Sequence, residues 1–171
     1  MSNLTIIDIP SPNYDSRPPG TIIDLVVVHA ISLPPGKFGT GRVIDFFTNT
    51  LNPVTDPYFS KIAGLKVSSH YFIERQGRVI RFVADENRAW HAGVSHFQGR
   101  DNCNDFSLGI ELEGDDFNPF SEIQYQRLNE LLNFIKFRWP AVTGDRIVGH
   151  CHIAAQRKSD PGPFFDWGRV G

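Results

Sequence analysis

Cysteine is scarce. The chain holds only Cys103 and Cys151, so a disulfide framework is excluded as its organising device, and a domain of this size can rely on its core instead. Both cysteines read as reduced, small buried hydrophobes. Nothing beside them marks an activated thiolate, which argues against a thiol hydrolase. An excess of one charge is also missing: 17 Lys and Arg against 19 Asp and Glu leave a formal net charge of -2. No broad cationic field exists to hold nucleic acid or anionic lipid, so neither is an expected partner. Long apolar runs are absent too, none approaching the roughly 20 residues of a membrane span. The opening stretch MSNLTIIDIPSPNYDSRPPG lacks the basic start and apolar segment of an export signal, so a cytoplasmic protein is expected. No internal repeat or low-complexity tract occurs.

What is present suits one globular domain. The 171 residues are 40% hydrophobic and 21% charged, enough apolar content for a self-sufficient core, and a single domain over 1–171 is expected, as a monomer. Residues 1–20, rich in Pro, Ser, Asn and Asp, predict an irregular arm, with the core starting after Gly20. The run TIIDLVVVHAI predicts a strand over 22–31, covered on both faces, with His29 near its C-terminal end. A small helix fits Val43, Ile44, Phe46 and Phe47. SHYFIERQGRVIRFV predicts a hairpin around Gln76-Gly77, and FSLGIELEG a further strand from Phe106. Leu128, Leu131, Leu132 and Ile135 share one face of a helix over 121–139, opened by a Ser121/Gln124 capping box and closed by Pro140. RIVGH predicts a last strand that delivers His150 into an irregular C-terminal segment. This alternation predicts an α/β fold with a mixed central β-sheet flanked by helices.

Several polar residues stand where chemistry is cheap to build. His29 ends an apolar strand, where an unpaired imidazole forfeits hydrogen bonds worth about 1–3 kcal/mol. His150 leaves a strand in the same way, and Asp160, ten residues on, is held by the stiff Pro161-Gly162-Pro163 turn. Two imidazoles and a carboxylate leave the fourth position of a catalytic zinc open. Spacing alone does not separate His152 from His150. His70 and His91 sit in aromatic surroundings as core or pocket residues, and His96 reads as a solvated loop residue. Glu111 and Glu113 alternate along GIELEG and project from one face of a strand; one of them is a candidate general base, unless that face is open to solvent. Lys158, two residues from Asp160, is either a solvated surface group or the cation that stabilises a developing oxyanion.

In order along the chain, VVVHAIS, SSHYFI, RAWHAG, CNDFSLGIELEG and GHCHIAAQRKSDPGPFFDW together resemble the AmpD-type 1,6-anhydro-N-acetylmuramoyl-L-alanine amidases, over about residues 10–167. The resemblance implies the fold shared with peptidoglycan recognition proteins and T7-type lysozyme, with zinc in a surface groove. It implies His29, His150 and Asp160 as the ligands, His152 as a neighbour, Glu111 as the catalytic carboxylate and Lys158 as the catalytic cation. It further implies Tyr58 near the metal, Lys66 as a basic residue holding the peptide carboxylate, and Arg100 facing substrate. The expected activity is hydrolysis of the lactoyl amide between anhydromuramic acid and L-alanine in small-molecule muropeptides during cell-wall recycling. Rival readings are an amidase of the same fold acting on intact peptidoglycan and a non-catalytic muropeptide-binding module. Ala30 and Ala155 depart from the family pattern, Ala30 standing where an asparagine that bonds substrate is common.

Overall fold

The computed structural model describes residues 4–171. The chain runs through β1 (Ile6–Asp8), β2 (Tyr14–Ser16), β3 (Leu25–Ile31), α1 (Arg42–Phe47) and α2 (Phe59–Ile62). It continues through β4 (Tyr71–Ile73), β5 (Val79–Arg81), β6 (Asn87–Ala89), β7 (His96–Phe97), β8 (Arg100–Asp101) and β9 (Ser107–Glu113). The long helix α3 (Glu122–Arg138), β10 (Ile147–Gly149) and α4 (His150–Ile153) complete it.

Six strands form the central sheet in the order β1-β5-β4-β9-β3-β10. It is mixed as predicted: β3 pairs parallel with β9 and β10, β4 parallel with β9, and β4 antiparallel with β5 across the expected hairpin. The apolar run of β3 follows from its central position, where both faces must be covered. Val26, Val28, Leu108, Ile110 and Leu112 face α3 and bury Leu128, Leu131, Leu132 and Ile135 against the sheet. The opposite face packs on Phe46, Phe47, Phe59, Phe72, Ile80 and Phe82. Strand periodicity therefore puts His29, Gly109, Glu111 and Glu113 on the face away from α3.

The capping box forms in part and gains a second use. Gln124 accepts the backbone N–H of Ser121 at 3.0 Å, while its amide donates to the carbonyls of Ile73 and Glu113 at 3.2 and 2.9 Å. A buried amide at the first turn of α3 thus locks the helix to β4 and β9.

Residues 4–20 are not the irregular arm their composition predicts; residues 1–3 of that expected arm lie outside the described residues. Strand β1 extends the sheet parallel to β5, and β2 pairs antiparallel with β6. Arg17 explains why the arm is held: its guanidinium donates to the carbonyls of Asp85, Asn104, Asp105 and Ser107, which no sequence pattern reveals. The core consequently begins before Gly20, with Leu4, Ile6 and Ile9 packed on it. Two smaller differences are β3 starting at Leu25 and His150 opening a short helix instead of an irregular segment. Among the described residues no helix is long and apolar enough to cross a membrane.

Candidate metal centre and active-site groove

Strands β3, β9 and β10 run parallel, and their carboxyl ends meet at a groove of about 510 Å³. Ligand sites gather at such strand ends because the loops leaving them converge there. His29 occupies the fifth position of β3, Glu111 the fifth of β9, and His150 follows the last residue of β10. The register places His29 directly beside Glu111. Asp160 arrives from the C-terminal segment, whose carbonyl accepts the backbone N–H of Cys151 at 2.9 Å. Gly149 permits this approach, since a Cβ there would stand 2.8 Å from Pro161 Cδ.

Among the described residues, one group of three side chains is able to hold a metal ion: His29, His150 and Asp160. Nδ1 of His29 lies 3.0 Å from Nδ1 of His150, and Oδ2 of Asp160 is 3.1 and 3.2 Å from the two. A tetrahedral ion with bonds of about 2.0–2.1 Å needs ligand atoms about 3.3 Å apart. Protonation states fit as well. Burial pushes the His29 imidazolium down to about 4 despite the opposing Asp160 carboxylate, so the ring is neutral at pH 7. Burial raises the Asp160 carboxyl, but the His150 and His29 rings beside it outweigh burial and hold the group well below the usual carboxylate range. A neutral imidazole and an ionised carboxylate are the forms that bind metal. The other nitrogen of each ring is engaged: His29 Nε2 lies 2.9 Å from His91 Nδ1, and His150 Nε2 lies 3.0 Å from the Ala92 carbonyl. Three acceptor atoms thus face one another around a space suited to a metal dication.

The structure separates pairs that spacing left open. His152 accepts the Gly149 N–H at 2.9 Å through Nδ1 and packs on Trp167, so it braces the start of α4 and is not one of the three grouped side chains. Both Glu111 and Glu113 are buried, but Glu113 accepts the backbone N–H groups of Gly39 at 2.6 Å and Arg75 at 3.0 Å. Oε2 of Glu111 has no hydrogen-bond partner. Burial, reinforced by the Asp160 charge, raises the Glu111 carboxyl well above its ordinary value, with Lys158 opposing. A buried carboxyl of raised proton affinity facing a groove is a candidate acid–base group, whereas Glu113 is a brace. Glu113→Ala removes the acceptor of two part-buried N–H groups and should lower stability by about 1 kcal/mol; an unchanged denaturant midpoint would show that those amides find other acceptors.

Lys158 and Tyr58 line the groove beside the triad. Lys158 is exposed at its mouth, yet its charge reaches both His29 and Glu111. Tyr58 precedes α2, a helix the hydrophobic pattern does not reveal; Asp56 Oδ1 accepting the Tyr58 N–H at 2.8 Å, with Pro57 between, is its local signal. Lys66 is exposed between Leu65 and Val67, which both line the groove. Arg100 does not join them. Its guanidinium pairs with Asp24 at 2.9 Å and stacks on Phe106 with 3.8 Å to the ring centroid, and it is absent from the groove lining. His96 is solvated beside Asp101. His70 is fully buried, accepting the Gly109 N–H through Nδ1. Cys103 and Cys151 are free, and burial raises both thiols, consistent with inert cysteines. Groove residues beyond the sequence-based set include Phe46, Trp90, Phe117 and Arg157; an exposed Phe117 carries no distinguishing sequence pattern.

The N-acetylmuramoyl-L-alanine amidase family model matches residues 18–163. The chain is 54% identical to the 1,6-anhydro-N-acetylmuramyl-L-alanine amidase AmpD of Haemophilus influenzae, over 94% of this chain and 88% of that protein. A crystal structure of AmpD superposes with a TM-score of 0.93 at 50% identity, covering 96% of this chain and 91% of that one. The Escherichia coli amidase AmiD, solved in complex with anhydro-N-acetylmuramic acid-L-Ala-D-γ-Glu-L-Lys, matches with a TM-score of 0.64 at 30% identity, over 90% of this chain and 58% of that one.

Proposed function

The chain belongs to the N-acetylmuramoyl-L-alanine amidase family, and from that premise we propose that it is a zinc-dependent amidase that cleaves the lactoyl amide between 1,6-anhydro-N-acetylmuramic acid and L-alanine in soluble muropeptides. The observation that carries this reading is the triangle of acceptor atoms on His29, His150 and Asp160, set beside a Glu111 carboxyl whose Oε2 has no hydrogen-bond partner. Zinc, when bound, supplies Lewis acidity that polarises a carbonyl and makes water a nucleophile near neutral pH. Glu111, cross-strand from His29, takes the proton of the attacking water and returns it to the departing alanine nitrogen. Its raised proton affinity suits both transfers, because a carboxylate of ordinary basicity is a poor proton acceptor at neutral pH. Lys158 carries its positive charge to the carbonyl oxygen as negative charge develops there.

Tyr58 lies in the apolar wall formed by Phe46, Ile62, Leu65 and Val67 and orients the sugar and lactoyl unit. Lys66, on the neighbouring rim, meets the peptide carboxylate. The substrate class is supported by the anhydromuramyl compound named in the AmpD and AmiD relatives. The site works on a small solute in the cytoplasm, within cell-wall recycling, and the enzyme acts as a monomer.

The test compares substrates. Zinc-reconstituted protein incubated with anhydromuramoyl-tripeptide should release anhydromuramic acid and free tripeptide, identified by mass, much faster than it releases peptide from intact sacculi. Preferential release from sacculi would point to intact peptidoglycan as the substrate, and binding without release would point to a recognition module.

A further inference from the structure

The RAWHAG segment, residues 88–93, is not accounted for by the ligands and catalytic groups above, yet it touches both histidines of the triad. We propose that His91 and the Ala92 carbonyl are the positioning groups of the metal centre, fixing His29 and His150 in the tautomer that presents Nδ1 to the ion.

Hydrogen-bond polarity can be followed link by link. The Ser107 hydroxyl lies 2.5 Å from the Cys103 carbonyl, which only accepts, so Ser107 donates its single proton there. Its oxygen is then an acceptor for His91 Nε2 at 3.3 Å, which places the His91 proton on Nε2 and leaves Nδ1 with a lone pair. That lone pair faces His29 Nε2 at 2.9 Å, so the His29 proton sits on Nε2 and its Nδ1 is bare. His150 reaches the same state by a separate route, donating from Nε2 to the Ala92 carbonyl at 3.0 Å. One dipeptide therefore serves both ligands, through a side chain for one and a backbone carbonyl for the other.

The dipeptide is itself held. Asn104 Oδ1 accepts the backbone N–H of His91 at 3.1 Å and of Ala92 at 2.8 Å. Arg157 donates to the Ala92 carbonyl at 2.8 Å from the other side. The His91 ring lies against β9 at Gly109, where a Cβ would come within 2.5 Å of the ring. Outer hydrogen bonds of this kind fix the tautomer and orientation of ligating imidazoles, and their loss weakens metal binding by about 10- to 100-fold.

The inference rests on the zinc reading for its consequence, but the tautomers can be observed without metal. Long-range proton–nitrogen spectra of the chelated wild-type protein at pH 8 should show His29 and His150 protonated at Nε2. Two variants then divide the ring's roles: in His91→Asn the amide oxygen stands where Nδ1 stood, and in His91→Gln the amide reaches the Nε2 position only. Competition against a chromophoric chelator should show zinc binding about 10- to 100-fold weaker in His91→Gln, with most of that loss recovered in His91→Asn. Equal weakening of the two, wild-type affinity in His91→Gln, or a His29 proton on Nδ1 in the wild type would overturn the proposal. Should His91→Gln fail to fold, Ser107→Ala retains the ring and removes its polarity anchor; mixed His29 tautomers support the chain, and an unchanged tautomer sinks it. A wild-type protein that binds no zinc while showing Nε2-protonated His29 would contradict the metal reading and leave the tautomer assignment standing.

Discussion

Glu111→Gln is expected to lower kcat on anhydromuramoyl-tripeptide by about 10²- to 10⁴-fold with little change in KM, the range for loss of a positioned general acid–base group. The substitution keeps the shape of the side chain and removes only its ability to carry the proton. The same change should make the zinc-free protein more stable at neutral pH. The Glu111 carboxyl is buried, and burial followed by the Asp160 charge raises it well above its ordinary value near 4.5. Between that ordinary value and the raised one, the folded protein holds a proton that the unfolded chain has released. Stability therefore falls as pH rises through this window. Glutamine cannot ionise, so the variant should lose this part of the pH dependence and unfold at a higher denaturant concentration at pH 7. Stability exchanged for activity at a single carboxyl is what a working site predicts. Normal turnover in Glu111→Gln, or a Glu113→Gln variant that is inactive instead, would reassign the base.

Lys158→Ala should reduce kcat by about 10²- to 10³-fold, the usual effect of removing one preorganised group from a developing oxyanion. Zinc content and unfolding midpoint should stay at wild-type values. The reason is geometric: the side chain is exposed at the mouth of the groove, while the backbone N–H of Lys158 bonds the Ala154 carbonyl at 3.0 Å whatever side chain follows. Arg157 next to it is tied to the carbonyls of Ala92 and Val94 and cannot substitute. Near-normal turnover would remove Lys158 from the mechanism.

The triad and the sheet were legible because their signals are local. A β-branched run ending in His, a Gly-His step and an Asp-Pro-Gly-Pro turn each show in a few consecutive residues, and the ordered motifs suggest their convergence. The long helix and the hairpin were legible for the same reason. Contacts between distant residues were not. The Arg17 anchor that turns the N-terminal arm into part of the sheet spans up to 90 residues, and no periodicity records it. The choice between Glu111 and Glu113 depends on which carboxyl meets the amides of Gly39 and Arg75, a fact of tertiary structure alone. His91 was recognisable only as a pocket residue, since its part depends on the polarity of bonds to Ser107 and His29. Arg100 matched its motif position but is held by Asp24 and Phe106 outside the groove.

The central claim is that His29, His150 and Asp160 hold one divalent ion through two nitrogens and one oxygen. The most direct measurement is the zinc K-edge absorption spectrum of reconstituted, dialysed protein. One zinc per chain with only nitrogen and oxygen neighbours at about 2.0–2.2 Å is the predicted result. A sulfur neighbour at about 2.3 Å, which would implicate Cys151, or active enzyme that retains no metal, would contradict it.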